Sequence, residues 1–184
     1  NPKAEGYQDE INKWLKDNIN LAEGSLVLFS SRAQMKACND ELYPLWRDEL
    51  LVQGFMPKSE IVKRHQARID EGKGGVIFGL ASFAEGIDLP GDYLTHVVIV
   101  KIPFAVPDDP IQAATSEWME SKGRNPFMEL TLPAASVRLV QAAGRLIRKE
   151  NDKGVISILD KRIVASRYGS LLLDSLPPFK RQLY

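Results

Sequence analysis

Five short apolar runs, each separated from the next by a helix-period segment or a glycine- and proline-punctuated loop, constrain this chain more than any other feature. They are Leu26-Val27-Leu28-Phe29, Leu50-Leu51-Val52, Val76-Ile77-Phe78, His96 through Ile102, and Val155-Ile156-Ser157-Ile158-Leu159. A run that is apolar at nearly every position has no face to give to water, so it belongs to a strand covered on both sides. Helix-period segments are expected at about 7–22, 33–46, 59–69, 111–121 and 133–149, with a last helix after the fifth run. Strands alternating with helices specify an α/β domain: a mostly parallel sheet with helices on both faces, in three layers. In such sheets ligands gather in the loops that leave the carboxyl ends of the strands. The 184 residues are a normal length for one such domain.

Composition narrows the chemistry. A single cysteine, Cys38, excludes a disulfide framework or a multi-cysteine metal site within this chain. Two histidines, His65 and His96, without ligand spacing give no zinc site, and they read as surface or strand residues. The longest clean apolar run, Val97-Val98-Ile99-Val100, is far too short to span a bilayer. No charged-then-apolar leader opens the chain, so a soluble cytoplasmic protein without membrane contact is expected. The 24 basic and 24 acidic residues cancel overall, yet residues 135–184 hold ten basic and four acidic side chains. Such an end can meet phosphate groups, and it can equally be a solvated basic surface.

Three segments at strand ends carry unusual chemistry. In Gln141-Ala142-Ala143-Gly144-Arg145-Leu146-Ile147-Arg148, a helical period puts Arg138, Gln141, Arg145, Arg148 and Lys149 on one arc. Gly144 inside that helix would cost roughly 1 kcal/mol relative to alanine, which suggests close approach of a backbone or phosphate there. Arginines keep their charge and present fixed donors, which suits a phosphoryl group; an amphipathic helix with solvated arginines is the plainer reading. In Ser82-Phe83-Ala84-Glu85-Gly86-Ile87-Asp88, a glycine between carboxylates can hold a tight turn, with Asp88 accepting from a ribose hydroxyl and Ser82 bonding a phosphate. Ser30-Ser31-Arg32 is a strand-to-helix corner that offers donors to a phosphate, although either serine can simply cap the helix.

Taken in order and spacing, Phe29-Ser30-Ser31-Arg32, Ser82-Phe83-x-Glu85-Gly86-x-Asp88 and Gln141-x-x-Gly144-Arg145-x-x-Arg148 resemble helicase motifs IV, V and VI. With Leu159-Asp160-Lys161-Arg162, Arg167-Tyr168-Gly169 and Ser175-Leu176-Pro177 behind them, the chain is similar to the iron–sulfur (XPD-like) superfamily 2 DNA helicases and their bacterial DinG/YoaA branch. The resemblance covers residues from about 24 to 182. It implies a second RecA-like motor domain at 24–184, entered through an N-terminal helix in 1–23. It implies that Arg145 and Arg148 act as arginine fingers toward the γ-phosphate of ATP, with Gln141 arranging the water or phosphate. Glu85, Gly86, Asp88 and Gly144 would belong to the nucleotide side, and Ser30, Ser31, Arg32, Ser82 and Phe83 to the single-stranded DNA track. ATP, Mg²⁺ and a 4Fe-4S cluster are implied for the preceding motor domain, none of them held chiefly by this chain. Single-stranded or forked DNA, that preceding domain, and possible replication or repair proteins are the implied partners, with 5′ to 3′ polarity.

No G-x-x-x-x-G-K-[ST] phosphate loop occurs here, and Gly72-Lys73-Gly74-Gly75 does not supply one. The chain alone is therefore expected neither to hydrolyse ATP nor to unwind DNA. The alternative from another class is a catalytically silent lobe that docks a repair or replication partner through the loops at 103–110 and 122–132. A stand-alone hydrolase has no Ser–His–Asp set or carboxylate pair to rest on. Trp14, Trp46 and Trp118 are expected in the core or against a neighbouring domain, and Cys38 as a small buried side chain.

Overall fold

The computed structural model describes residues 6–105, 110–146 and 153–183. In chain order the elements are α1 (Tyr7–Asn18), β1 (Gly24–Phe29), α2 (Arg32–Trp46), β2 (Leu50–Val52) and α3 (Lys58–Asp70), followed by β3 (Gly75–Leu80), α4 (Ala81–Ala84) and β4 (His96–Ile99). After β4 come α5 (Pro110–Ser121), α6 (Leu132–Ala143), β5 (Val155–Ile158), α7 (Arg162–Ala165) and α8 (Gly169–Ser175). All strand pairs are parallel, in the order β2-β3-β1-β4-β5. This is the expected RecA-like three-layer α/β fold. Period-two alternation divides the strands between two cores. Val27, Phe29, Val76, Phe78 and Val98 pack against α1 and α2. Leu26, Leu28, Ile77, Val97 and Ile99 pack on the opposite face, with Ile61 of α3, Phe83 and Leu139 of α6. On the first face the Tyr7 hydroxyl donates to the Val100 carbonyl at 3.1 Å, tying α1 to the end of β4.

Several boundaries differ from the sequence expectation, each for a local reason. The helix expected from residue 59 starts one residue earlier, at Lys58 after the extended Pro57, and has no side-chain cap. Pro44 lies inside α2 without ending it. The fourth strand, expected to reach Ile102, stops at Ile99, and the Ile102 N–H donates to the Asp160 carboxylate at 3.1 Å. The expected loop at 123–132 is helical in part: Phe127–Thr131 form a π turn running into α6, with Phe127 packed on Phe104 and Tyr168. The helix expected to reach residue 149 ends at Ala143, and the N–H groups of Arg145 and Leu146 turn to the carbonyls three residues back. Gly144 is thus the C-cap of α6, with φ −66°, and not an interior residue. A side chain there would meet the Val140 carbonyl of its own helix, so no approaching backbone explains it. Arg148 and Lys149 lie outside the described residues. His65, expected as a surface or strand residue, is fully buried on α3, its Nε2 2.7 Å from the Tyr93 carbonyl. Trp46 and Cys38 are buried, Trp14 meets His96 edge-on at 6.2 Å, and Trp118 is 55% exposed. Among the described residues no helix is long and apolar enough to cross a membrane.

Candidate functional site

The topology opens a crevice at the carboxyl ends of β1 and β4. The chain leaves β1 toward β2 on one side of the sheet, and continues from β4 toward β5 on the other. Crevices of this kind are where open parallel sheets take ligands. Here the crevice is a cleft of about 430 Å³ walled by residues after β1, β3 and β4 and by α6.

Five of the residues singled out in the sequence meet in it: Ser30, Ser82, Glu85, Gln141 and Arg145. Ser30 is exposed immediately after β1. Ser82 is exposed on the single-turn helix α4, which follows β3 without a break. Gln141 is exposed on the last turn of α6. Arg145 follows the end of that helix and reaches back across the cleft wall. Its Nε contacts the Gln141 carbonyl at 3.3 Å and its Nη1 the Ile87 carbonyl at 3.4 Å. One guanidinium therefore joins the end of α6 to the loop after α4.

The other candidates are placed differently. Ser31 accepts from the Gln34 N–H at 3.2 Å and caps α2, so its hydroxyl serves the helix. Arg32 is exposed at the first residue of α2 but does not line the cleft. Phe83 turns inward and is 2% exposed, because Gly79 leaves room for its ring: a Cβ at residue 79 would lie 2.8 Å from it. Its ring is therefore not offered to a base. Gly86 has φ +70°, a left-handed turn that glycine adopts without strain, and it is exposed beside Glu85 and Asp88. Gly86, Asp88 and Gly144 sit near the cleft without lining it. Arg148 lies outside the described residues.

Lys101, Phe104, Gln112 and Arg138 also line the cleft, and the motif reading did not assign them. The signal for Arg138 was present, since it shares the arc of Gln141 on α6. Its Nη1 contacts the Pro103 carbonyl at 3.3 Å. Burial and the neighbouring Arg162 pull the Lys101 pKa below the ordinary lysine value, against the pull of Asp160. The Lys101 ammonium lies 5.2 Å over the Tyr7 ring. Phe104 is held in an aromatic cluster with Phe127 and Tyr168, at ring separations of 5.6 and 5.8 Å, and the Arg162 guanidinium lies 5.3 Å from its ring centroid. Arg162 in turn is fixed by Asp160, which is fully buried and accepts from its Nη2 at 2.5 Å and its Nε at 2.9 Å. Burial alone would raise the Asp160 pKa, but these bonds and those from the Ile102 and Arg162 N–H groups outweigh it and hold it below the usual carboxylate value.

Among the described residues, the cleft lining carries Lys101, Arg138 and Arg145 and one carboxylate, that of Glu85. It can bind and stabilise negative charge. Among the described residues no group of three or more His, Cys, Asp or Glu could hold a metal ion, and the lone thiol of Cys38 is buried with its pKa raised to about 11 by desolvation. The residues present therefore do not fit an iron–sulfur cluster.

The sequence matches the family described as helicase C-terminal domain over residues 14–179. It is 49% identical over 183 residues to the ATP-dependent DNA helicase DinG of Photobacterium profundum, a match covering 98% of this chain and 26% of that protein. To the Escherichia coli K12 protein of the same name it is 45% identical over 156 residues, covering 85% of this chain and 22% of that one. The chain thus spans about a quarter of the length of the curated relatives it matches. Among solved structures, it is similar to one titled XPD_APO, with TM-score 0.68 and 27% identity, covering 96% of this chain and 35% of that one. A second, titled XPD_Helicase, gives TM-score 0.67 and 26% identity, covering 96% and 31%.

Proposed function

From the premise that this chain belongs to the helicase C-terminal domain family, in its XPD-like, DinG-related branch, we propose that it is the second motor domain of an ATP-dependent DNA helicase of 5′ to 3′ polarity, acting in DNA repair or replication. Residues 24–184 would form the motor domain, with 1–23 leading into it. The observation that carries the reading is the convergence of Gln141 and Arg145 with Ser30 and Ser82 in one cation-rich cleft. Arg145, with Arg148, would stabilise charge on the phosphoryl group being transferred in a nucleotide pocket completed by the preceding motor domain. Gln141 would orient the attacking water or the phosphate. ATP and Mg²⁺ would be bound mainly by that preceding domain, where a 4Fe-4S cluster would also lie. Ser30, Ser82, Lys101 and Arg138 would take phosphates of a single strand, contacts that position a strand without reading its sequence. Work on chromosomal DNA would put the protein in the bacterial cytoplasm.

The test uses the full-length polypeptide. Arg145→Ala is expected to lower DNA-stimulated ATP turnover by about 10³-fold, with nucleotide affinity changed far less. Turnover within a few-fold of wild type would remove Arg145 from the chemistry. A docking role for a repair or replication protein is favoured by a different feature, the exposed Ile111 and Trp118 on α5. Capture of such a partner that survives Arg145→Ala and is lost with Trp118→Ala supports it.

A further inference from the structure

The loop after α4 is held by side chains that lie outside it, and one of them stands where helix electrostatics disfavours it. Lys58 is the first residue of α3, and the preceding Pro57 provides no cap. A cation in the first turn faces the positive end of the helix dipole, and a free lysine keeps its rotamer entropy by extending into water. Lys58 does neither. It is half-buried, its ammonium donates to the Glu85 carbonyl, and it lies 5.3 Å over the ring of Phe83. Two other side chains reach the next carbonyls of the same loop: Arg145 to Ile87 at 3.4 Å, and Gln66 of α3 to Asp88 at 3.5 Å. The loop's carbonyls are thus gripped from α3 on one side and from the end of α6 on the other. Between the grips, Gly86 makes the left-handed turn that leaves Glu85 and Asp88 exposed.

We propose that Lys58 is a positioning residue for the 82–88 loop: its anchor on the Glu85 carbonyl fixes the turn in which Ser82 and Glu85 wall the cleft beside Arg145. The charge belongs to the role, because a hydrogen bond from an ammonium to a carbonyl is stronger than one from a neutral donor. The anchor stands on the geometry alone. Its consequence for turnover rests on the function proposed above.

The experiment compares wild type, Lys58→Met and Lys58→Arg in the full-length polypeptide by peptide-resolved hydrogen exchange and steady-state kinetics. Lys58→Met is expected to speed exchange in peptides spanning 82–89 by roughly tenfold, the loss of one hydrogen bond to a charged group. Peptides from α3 beyond its first turn should be unchanged, and Lys58→Arg should restore protection. Unchanged exchange at 82–89 overturns the proposal, and so does faster exchange spread evenly over the sheet. In turnover, Lys58→Met is expected to lower kcat about tenfold with KM for ATP little altered, and Lys58→Arg to recover most of it. A shifted exchange pattern with unaltered kcat overturns the positioning role and leaves the proposed function standing. A wild-type polypeptide without ATP turnover sinks that function instead, and the exchange data alone then decide the anchor.

Discussion

Replacing Asp160 with asparagine removes one charge from the interior and changes little else in shape, so its cost can be worked from the bonds involved. The carboxylate accepts from the Ile102 N–H at 3.1 Å, the Arg162 N–H at 3.1 Å, and the Arg162 guanidinium through Nε and Nη2. An amide in its place keeps one acceptor oxygen and turns an NH₂ group toward one of these donors. Bonds to a charged group contribute about 1.5–3 kcal/mol each, and breaking a buried pair costs about 3–5 kcal/mol. The Arg162 side chain is 34% exposed against 0% for Asp160, so water screens part of the loss and the lower end applies. The expected destabilisation is about 3 kcal/mol, which for a chain of this size lowers Tm by roughly 6–12 °C. The sign with pH follows from the depressed carboxyl. Its contribution is fully present above the unfolded aspartate value of about 3.9 and is lost as pH falls through the lower folded value. Thermal melts of both proteins at pH 7, and urea titrations carried toward pH 3, measure it. A loss under about 1 kcal/mol at pH 7, or a gap that fails to narrow in acid, would refute this account of Asp160.

Two further outcomes follow from buried groups. His65 and His96 both have pKa values lowered, chiefly by burial, so the unfolded chain takes up protons below about pH 6.5 while the folded one resists. Stability should therefore be level above that pH and decline as pH falls below it, and urea midpoints that rise on acidification from pH 7 to 5 would contradict it. Gly79→Ala places a Cβ 2.8 Å from the Phe83 ring, and the overpacking should cost about 1–3 kcal/mol in urea denaturation. An unchanged midpoint would mean that Phe83 yields without cost.

The sheet was legible because its information is local. Each residue of β1 is buried, as expected of a short apolar run bounded by turn residues that forms a strand with two covered faces. The ends of elements were not, because the competing partner lies far along the chain. Nothing near Ile102 announces that its N–H goes to Asp160, 58 residues away. The period of α6 continues past Ala143, while the backbone does not, since a shift to bonds three residues back leaves the side-chain pattern intact. The same limit governs the candidate site. Ser82 and Phe83 are adjacent, and only the empty space at Gly79 decides which turns inward. His65 reads as a surface residue until Gly75 is seen to make room for its ring, where a Cβ would stand 2.8 Å from Nδ1, and the Tyr93 carbonyl to accept its proton or face it. Lys101 and Phe104 carry no motif at all. They line the cleft from the segment just beyond the end of β4.

The balance of groups in the cleft bears directly on what the domain can contribute to a reaction. Among the described lining residues, Lys101, Arg138 and Arg145 supply fixed positive charge, Ser30, Ser82, Gln112 and Gln141 supply neutral hydrogen-bonding groups, and Glu85 is the one carboxylate. Cations and amides lower the energy of an oxyanion. A cleft of this kind can complete a phosphoryl-transfer site without containing one. Its cations come from separate elements, Lys101 from the end of β4 and the arginines from α6 and the turn beyond it, and Arg145 is also fastened to the Ile87 carbonyl of the loop that Lys58 anchors. The Arg145 guanidinium is thereby linked through the 82–88 loop to the turn that carries Ser82. In a two-domain motor this would be the connection required, since charge stabilisation on one side of the cleft is useful for translocation only if the strand-facing side responds to it.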